Sequence, residues 1–293
     1  DIDTQIDHRT VTIDGFAKGM TRFMAGLGKK VLIANYAGSL AESLLANVDN
    51  AAVMSVWVGV LFYAFQIYFD FSGYSDMAIG LGHMFGFDYP ENFKYPYIST
   101  SITDFWRRWH MTLGTWFREY VYIPLGGNRV TTAKHIRNLL IVWGLTGVWH
   151  GAGINFLLWG LYYGVLLIIE KYLIGGFLKK HKVIGHTFTL IAVVIGWMLF
   201  ANTSFASLGQ YFCMMFGIGK VSFFNATAGY FLRTSIVLLV LGVLFSTPIM
   251  HQLGEQIFVR YPKVSAAVRV FLFLLCIAAL VYQTYNPFLY FRF

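Results

Sequence analysis

The strongest constraint on this chain is a series of long stretches with no Asp, Glu, Lys or Arg: residues 51–69, 139–169, 183–219, 234–254 and 270–291. In a bilayer no water is available to satisfy backbone N–H and C=O groups, so an uninterrupted apolar crossing segment of roughly 20 residues reads as a helix. Every one of these stretches is long enough. The second and third are too long for one span each, so breaks are expected at His150-Gly151-Ala152-Gly153 and at Asn202-Thr203-Ser204. About five or six spans result, with shorter helices between them. At 57% hydrophobic and 12% charged over 293 residues, the chain lacks the charge needed to cover a water-soluble surface. The expected fold class is all-α, a polytopic bundle of transmembrane helices.

The net charge of +8 lies in short basic clusters between the apolar runs, at 134–137, 171–182 and 260–263. That distribution suits membrane lipid and the positive-inside rule better than nucleic acid, and it puts all three clusters on the cytoplasmic side. Cys213 and Cys276 stand alone in apolar segments, with neither metal-ligand nor disulfide spacing, and read as buried packing residues. The chain starts at Asp1 and shows no leader. It therefore reads as the later part of a longer protein whose first helices precede it, with 1–293 forming one membrane domain.

Two segments do not read as plain spans. Residues 15–35 place Lys18, Arg22, Lys29 and Lys30 among apolar positions, as an interfacial amphipathic helix would. Residues 103–122 are too densely charged and aromatic to face lipid, and are expected to be interfacial or re-entrant.

Ionisable residues at membrane depth are costly, so each is a candidate for function. Asp70 and Asp76, with Ser72, Gly73 and Ser75 between them, suit a proton relay or an ion site. The plainer reading, which is preferred, has them anchoring basic residues from another segment and capping a helix that begins near Tyr74. On a helix, Asp104 lies one turn before Arg107 and Arg108 and would pair with one of them. Trp106 and His110 are also one turn apart. Arg107, Gly114 and Arg118 share a face that suits an anionic or thioester-bearing donor, or equally a row of snorkelling arginines. The run Pro124-Leu125-Gly126-Gly127-Asn128-Arg129 is a turn signal. His150 has the chemistry of a general base near neutral pH, with Gly151 and Gly153 allowing close approach and Trp149, Trp159, Tyr162 and Tyr163 suited to lining a tunnel. The alternative is a histidine hydrogen-bonded between helices.

The order "DFWRRWHMTLGTWFREYVYIPLGGNR", then "GVWHGAGINFLLWGLYYG", resembles the membrane-bound O-acyltransferase (MBOAT) family. The upstream "GLGKKVLIAN" and "FDFSGYSDMAIGLGHMFGFDYPENFKYPY" and the terminal "NPFLYFRF" are similar to its bacterial branch, which acetylates alginate, peptidoglycan and other exported polysaccharides. The resemblance implies a ring of tilted helices around a central tunnel. It assigns the catalytic histidine to His150 and the second histidine to His110. Arg107, Arg108, Trp109, Arg118, Trp149 and Asn155 would bind substrate, supported by Asp70, Asp76 and Asp104. It implies no bound cofactor or metal: an acetyl thioester, from acetyl-CoA or a carrier, enters as substrate. It further implies an exported polysaccharide acceptor, a periplasmic partner of the SGNH-hydrolase type, and a multi-pass position in the bacterial inner membrane. D-alanyl transfer to teichoic acid is the alternative within the family. An ion-coupled transporter and an inert docking platform are the alternatives outside it.

Overall fold

The computed structural model of the protein describes residues 2–46, 51–202 and 204–282, and every regular element among them is helical. In chain order the helices are α1 (Ile2–His8), α2 (Ile13–Gly28), α3 (Asn35–Leu45), α4 (Val53–Met84), α5 (Ile102–Trp106), α6 (Met111–Phe117), α7 (Thr132–His150) and α8 (Ile154–Ile169). They continue as α9 (Gly175–Lys180), α10 (Lys182–Ala201), α11 (Phe205–Met215), α12 (Ala226–Thr234), α13 (Ile236–Phe245), α14 (Ile249–Arg260) and α15 (Pro262–Tyr282). Among the described residues, four helical stretches are long and apolar enough to cross a membrane: Val53–Met84, Ile154–Lys180, Lys182–Ala201 and Pro262–Tyr282. A fifth is added if the bent pair α12 and α13 forms one span. The chain is thus a polytopic helical membrane protein.

Both expected breaks occur. Helix α7 ends at His150 and α8 starts at Ile154, and between them Gly151 takes φ +151° and ψ 171°. That region is open essentially only to glycine, and a Cβ there would lie 2.9 Å from Phe156 Cε2. Helix α10 stops at Ala201 and α11 begins at Phe205, with Thr203 outside the described residues. Other boundaries differ from expectation. The span expected over 51–69 runs on to Met84, carrying Asp70 and Asp76 inside one uninterrupted helix, so no helix begins near Tyr74 for them to cap. The stretch 234–254 is divided where Ser246, Thr247 and Pro248 interrupt it; Pro248 cannot donate to the preceding turn, and α14 starts directly after it. The last run begins earlier than expected, at Pro262, and its part beyond Tyr282 lies outside the described residues.

The contacts divide the described residues into two units, the first made of 2–40, 65–92 and 236–282, the second of 41–46, 51–64, 93–202 and 204–235. In the first unit α2 crosses the later half of α4 on glycines. A Cβ at Gly19 would lie 2.4 Å from the Gly80 carbonyl oxygen, and one at Gly26 would lie 2.5 Å from that of Gly73. Such small-residue pairs let two backbones touch. Close approach brings the basic residues of α2 onto the carboxylates of α4: Arg22 pairs with Asp76 at 2.6 Å and with Glu91 at 2.6 Å, Lys29 with Asp76 at 2.6 Å, and Lys30 with Asp70. Of the four cations of 15–35 only Lys18 is exposed, and Arg22, Lys29 and Lys30 engage carboxylates because buried carboxylates require counter-charges. Cys276 is buried as expected, whereas Cys213 is exposed on α11.

In the second unit α7 and α8 form a hairpin with almost no gap between backbones. A Cβ at Gly160 would lie 2.2 Å from the Trp143 carbonyl oxygen, and one at Gly147 2.4 Å from that of Phe156. Helix α10 packs on α8, where Tyr162 donates to the Ala192 carbonyl at 2.8 Å and Asn155 Nδ2 donates to that of Phe200 at 3.1 Å.

Candidate active site

The site is assembled in the second unit from α5, α6, the α7–α8 hairpin and the end of α10. Helix α5 starts where Ser101 accepts from the Asp104 N–H at 3.0 Å. Its first two amides donate instead to Glu170, at 2.6 Å from Ile102 and 3.2 Å from Thr103. A carboxylate on a helix N-terminus satisfies orphan donors and complements the helix dipole, and here it ties α5 to the end of α8.

The helical spacing considered over 103–122 is interrupted. Helix α5 ends at Trp106, and α6 starts only after His110, which takes the left-handed conformation at φ +46° and ψ 52°. A non-glycine residue there costs on the order of 1–3 kcal/mol and persists only where its surroundings fix it. Trp109 helps do so, buried against Phe105, Phe93 and Trp197 with ring centroids 5.7, 5.0 and 4.7 Å away. Because of the break, Arg107, Gly114 and Arg118 do not share one helical face, and Trp106 and His110 are not stacked one turn apart. Arg107 and Arg118 are both exposed. Asp104 selects Arg108, accepting from its Nε at 2.9 Å, and Arg108 also donates to the Lys94 carbonyl at 3.3 Å.

The break points His110 toward the end of α7. Its ring meets Trp149 edge to face at 6.0 Å, and Trp149 meets His150 at 4.9 Å. The two imidazoles lie within electrostatic range of each other. His150 is otherwise walled by Trp159 at 5.0 Å, Phe200 at 5.2 Å and Phe156 at 6.4 Å. No described side chain hydrogen-bonds its ring, so it is not the inter-helix polar tie that was the plainer reading. Burial drives the pKa of His110 down to about 4, which holds that ring neutral through the physiological range. Trp149 is 45% exposed and forms the open side of the arrangement, while Asn155 is buried at the foot of α8.

Asp70 and Asp76 belong to the first unit and are engaged by Lys30 and by Arg22 and Lys29. Among the described residues no group of three or more His, Cys, Asp and Glu is arranged to hold a metal. The turn at 124–129 forms as expected, with Gly126 and Gly127 at φ +99° and +57°. It is strapped to α7 by Asn138, which donates to the carbonyls of Leu125 at 2.9 Å and Gly127 at 3.2 Å. His135 sits between the hydroxyls of Tyr122 at 2.9 Å and Tyr172 at 2.6 Å. Sequence reasoning missed Glu170, Phe200 and Trp197. Glu170 carried a signal, as the carboxylate that ends the 139–169 run, but its partners lie 67 and 68 residues away.

Residues 5–210 match the membrane-bound O-acyltransferase (MBOAT) family. The chain is 38% identical over 313 residues to a probable alginate O-acetylase of Pseudomonas putida, a match covering 100% of this chain and 64% of that protein. It is 46% identical over 220 residues to the probable alginate O-acetylase of Pseudomonas aeruginosa, covering 75% and 42%. To the peptidoglycan O-acetyltransferase of Helicobacter pylori it is 40% identical over 210 residues, covering 70% and 40%. It spans less than two thirds of the length of these relatives. With the family matched over most of its length, the chain belongs to the membrane-bound O-acyltransferases.

Proposed function

We propose that this chain, acting as one membrane domain over 1–293, transfers an acetyl group from a cytoplasmic thioester toward a hydroxyl of an exported polysaccharide such as alginate, in the bacterial inner membrane. The observation that carries the reading is His150: an imidazole at a glycine break, enclosed by aromatic rings and with no hydrogen bond to its ring among the described residues. Such a base is free to receive a substrate proton. The attacking hydroxyl, on the polysaccharide or on an intermediate carrier, gives its proton to His150 as its oxygen bonds to the thioester carbonyl carbon. The tetrahedral intermediate then expels the thiolate, and the imidazolium returns the proton to sulfur. General-base help of this kind contributes about 10²- to 10⁴-fold, with the remainder coming from positioning. His110, kept neutral by burial, shares that role or hydrogen-bonds the carbonyl oxygen as negative charge develops on it.

Exposed Arg107 and Arg118 meet the anionic parts of the donor, acetyl-CoA or a carrier, and Asp104 fixes the fork of Arg108. Trp149, beside both imidazoles, lines the approach, and a periplasmic SGNH-type partner completes delivery. The ion-coupled transporter loses support because Asp70 and Asp76 are each already neutralised by a cation.

Deleting the gene that encodes this chain and restoring it on a plasmid tests the reading. Ester-linked acetate on the exported polysaccharide should disappear and return. Unchanged acetate after deletion, or ion-coupled flux with no acetylation, would overturn it.

A further inference from the structure

Next to His150 lies a cluster of rings whose polar atoms are unequally served. Trp197 Nε1 donates to Tyr97 Oη at 3.1 Å, Tyr97 donates to the Ala64 carbonyl at 2.7 Å, and Tyr162 donates to that of Ala192 at 2.8 Å. Trp106, Trp159 and Tyr163 touch one another with centroids 5.5, 4.7 and 5.4 Å apart. Yet among the described residues the indole nitrogens of both tryptophans and the hydroxyl of Tyr163 are shielded from solvent without a hydrogen-bond partner. Trp159 is 1% exposed and Tyr163 0%. A buried donor left without an acceptor loses its hydration and gains nothing in return.

The chain also makes room for this hydroxyl. A Cβ at residue 196 would lie 2.2 Å from Tyr163 Oη, so α10 carries Gly196 inside its helix, where glycine is less stable than alanine. The same Cβ would lie 2.7 Å from Cζ and 2.9 Å from Cε2 of Tyr163, so Gly196 admits the whole edge of the ring, hydroxyl included; a ring that only filled this space would be phenylalanine, with no stranded polar group. An indole N–H finds partial satisfaction on a neighbouring ring face, but that does not explain why the ring packed against Gly196 carries a hydroxyl.

We propose that Trp106, Trp159 and Tyr163 form a buried subsite beside His150 that takes a hydrogen-bond-accepting oxygen. That oxygen is either the carbonyl of the acyl donor or a held water. The inference rests on the acyl-transfer reading for the first source and is independent of it for the second.

The test is Tyr163→Phe, which removes the hydroxyl alone, expressed from the restoring plasmid, with ester-linked acetate measured in cells and the thermal midpoint measured on purified protein. If the guest is the acyl carbonyl, acetate falls about tenfold or more while the midpoint holds or rises. If it is water, the midpoint falls while acetate is kept. Full acetate together with an unchanged or raised midpoint overturns the subsite. A plasmid that restores no acetate even with the unaltered chain counts against acyl transfer itself, and the midpoint then decides between held water and no guest.

Discussion

His110 and Trp149 meet edge to face at 6.0 Å, and the Trp149 ring also lies 4.9 Å from that of His150. Two histidines far apart in sequence are thereby set around one half-exposed indole. The contact depends on the left-handed turn at His110, on the glycine break after His150, and on the Glu170 cap that seats α5.

Burial fixes how His110 responds to acid. Its folded pKa is about 4, below the value of about 6.5 it has in an unfolded chain. Between those values the unfolded state binds the proton and the folded state does not. Its contribution to stability is therefore complete above about pH 6.5 and is lost as pH falls toward 4. Thermal midpoints measured from pH 7.5 to pH 4 should decline less steeply in His110→Gln than in the unaltered protein.

Glu170→Gln should loosen α5. The carboxylate accepts from two helix-terminal amides, and replacing a charged acceptor by a neutral one costs about 1–2 kcal/mol at such a site. A lower thermal midpoint is expected, with reduced acetate transfer as His110 shifts. Hydrogen exchange at the Ile102 and Thr103 amides would report the loosening directly.

At the α7–α8 crossing, Gly160→Ala places a methyl group 2.2 Å from the Trp143 carbonyl oxygen, and backbone cannot yield as a side chain would. Destabilisation of about 1–3 kcal/mol is expected, seen as a lower thermal midpoint and less protein in the membrane. The same change at exposed Gly209 inside α11, where a Cβ meets nothing within 4 Å, should lower neither, and helix propensity should raise the midpoint slightly.

Lys30→Met removes the ammonium that pairs with the carboxylate of Asp70, a group that is 1% exposed. Breaking a buried pair costs about 3–5 kcal/mol. Adding Asp70→Asn should restore most of that loss, so the two changes together should be milder than the first alone. Chemical denaturation of the three variants would measure the coupling.

These effects mark what was legible in the sequence. The break at His150 could be read because glycines on both sides of Ala152 cannot sustain an apolar helix. The break at His110 could not. Arg107, Arg108 and Trp109 are acceptable helix residues, and the turn is imposed by partners remote in sequence, Glu170 below α5 and Trp197 behind Trp109. Likewise the cations of 15–35 looked interfacial because amphipathic spacing cannot say whether a lysine faces water or a buried carboxylate. The clue was the matched seven-residue spacing of Gly19 with Gly26 and of Gly73 with Gly80, which lets those helices touch. At Pro248 the composition was apolar enough for a span, and the interruption lay in one residue without an N–H.

Removal of the acceptor hydroxyl's proton by His150 is probed by His150→Ala. The variant should be produced in the deletion strain at a membrane level matched to the unaltered protein, with ester-linked acetate on the exported polysaccharide as the readout. Acetate should fall by about 10²-fold or more with the thermal midpoint little changed. Undiminished acetate at equal protein level would contradict it and leave His150 a packing residue.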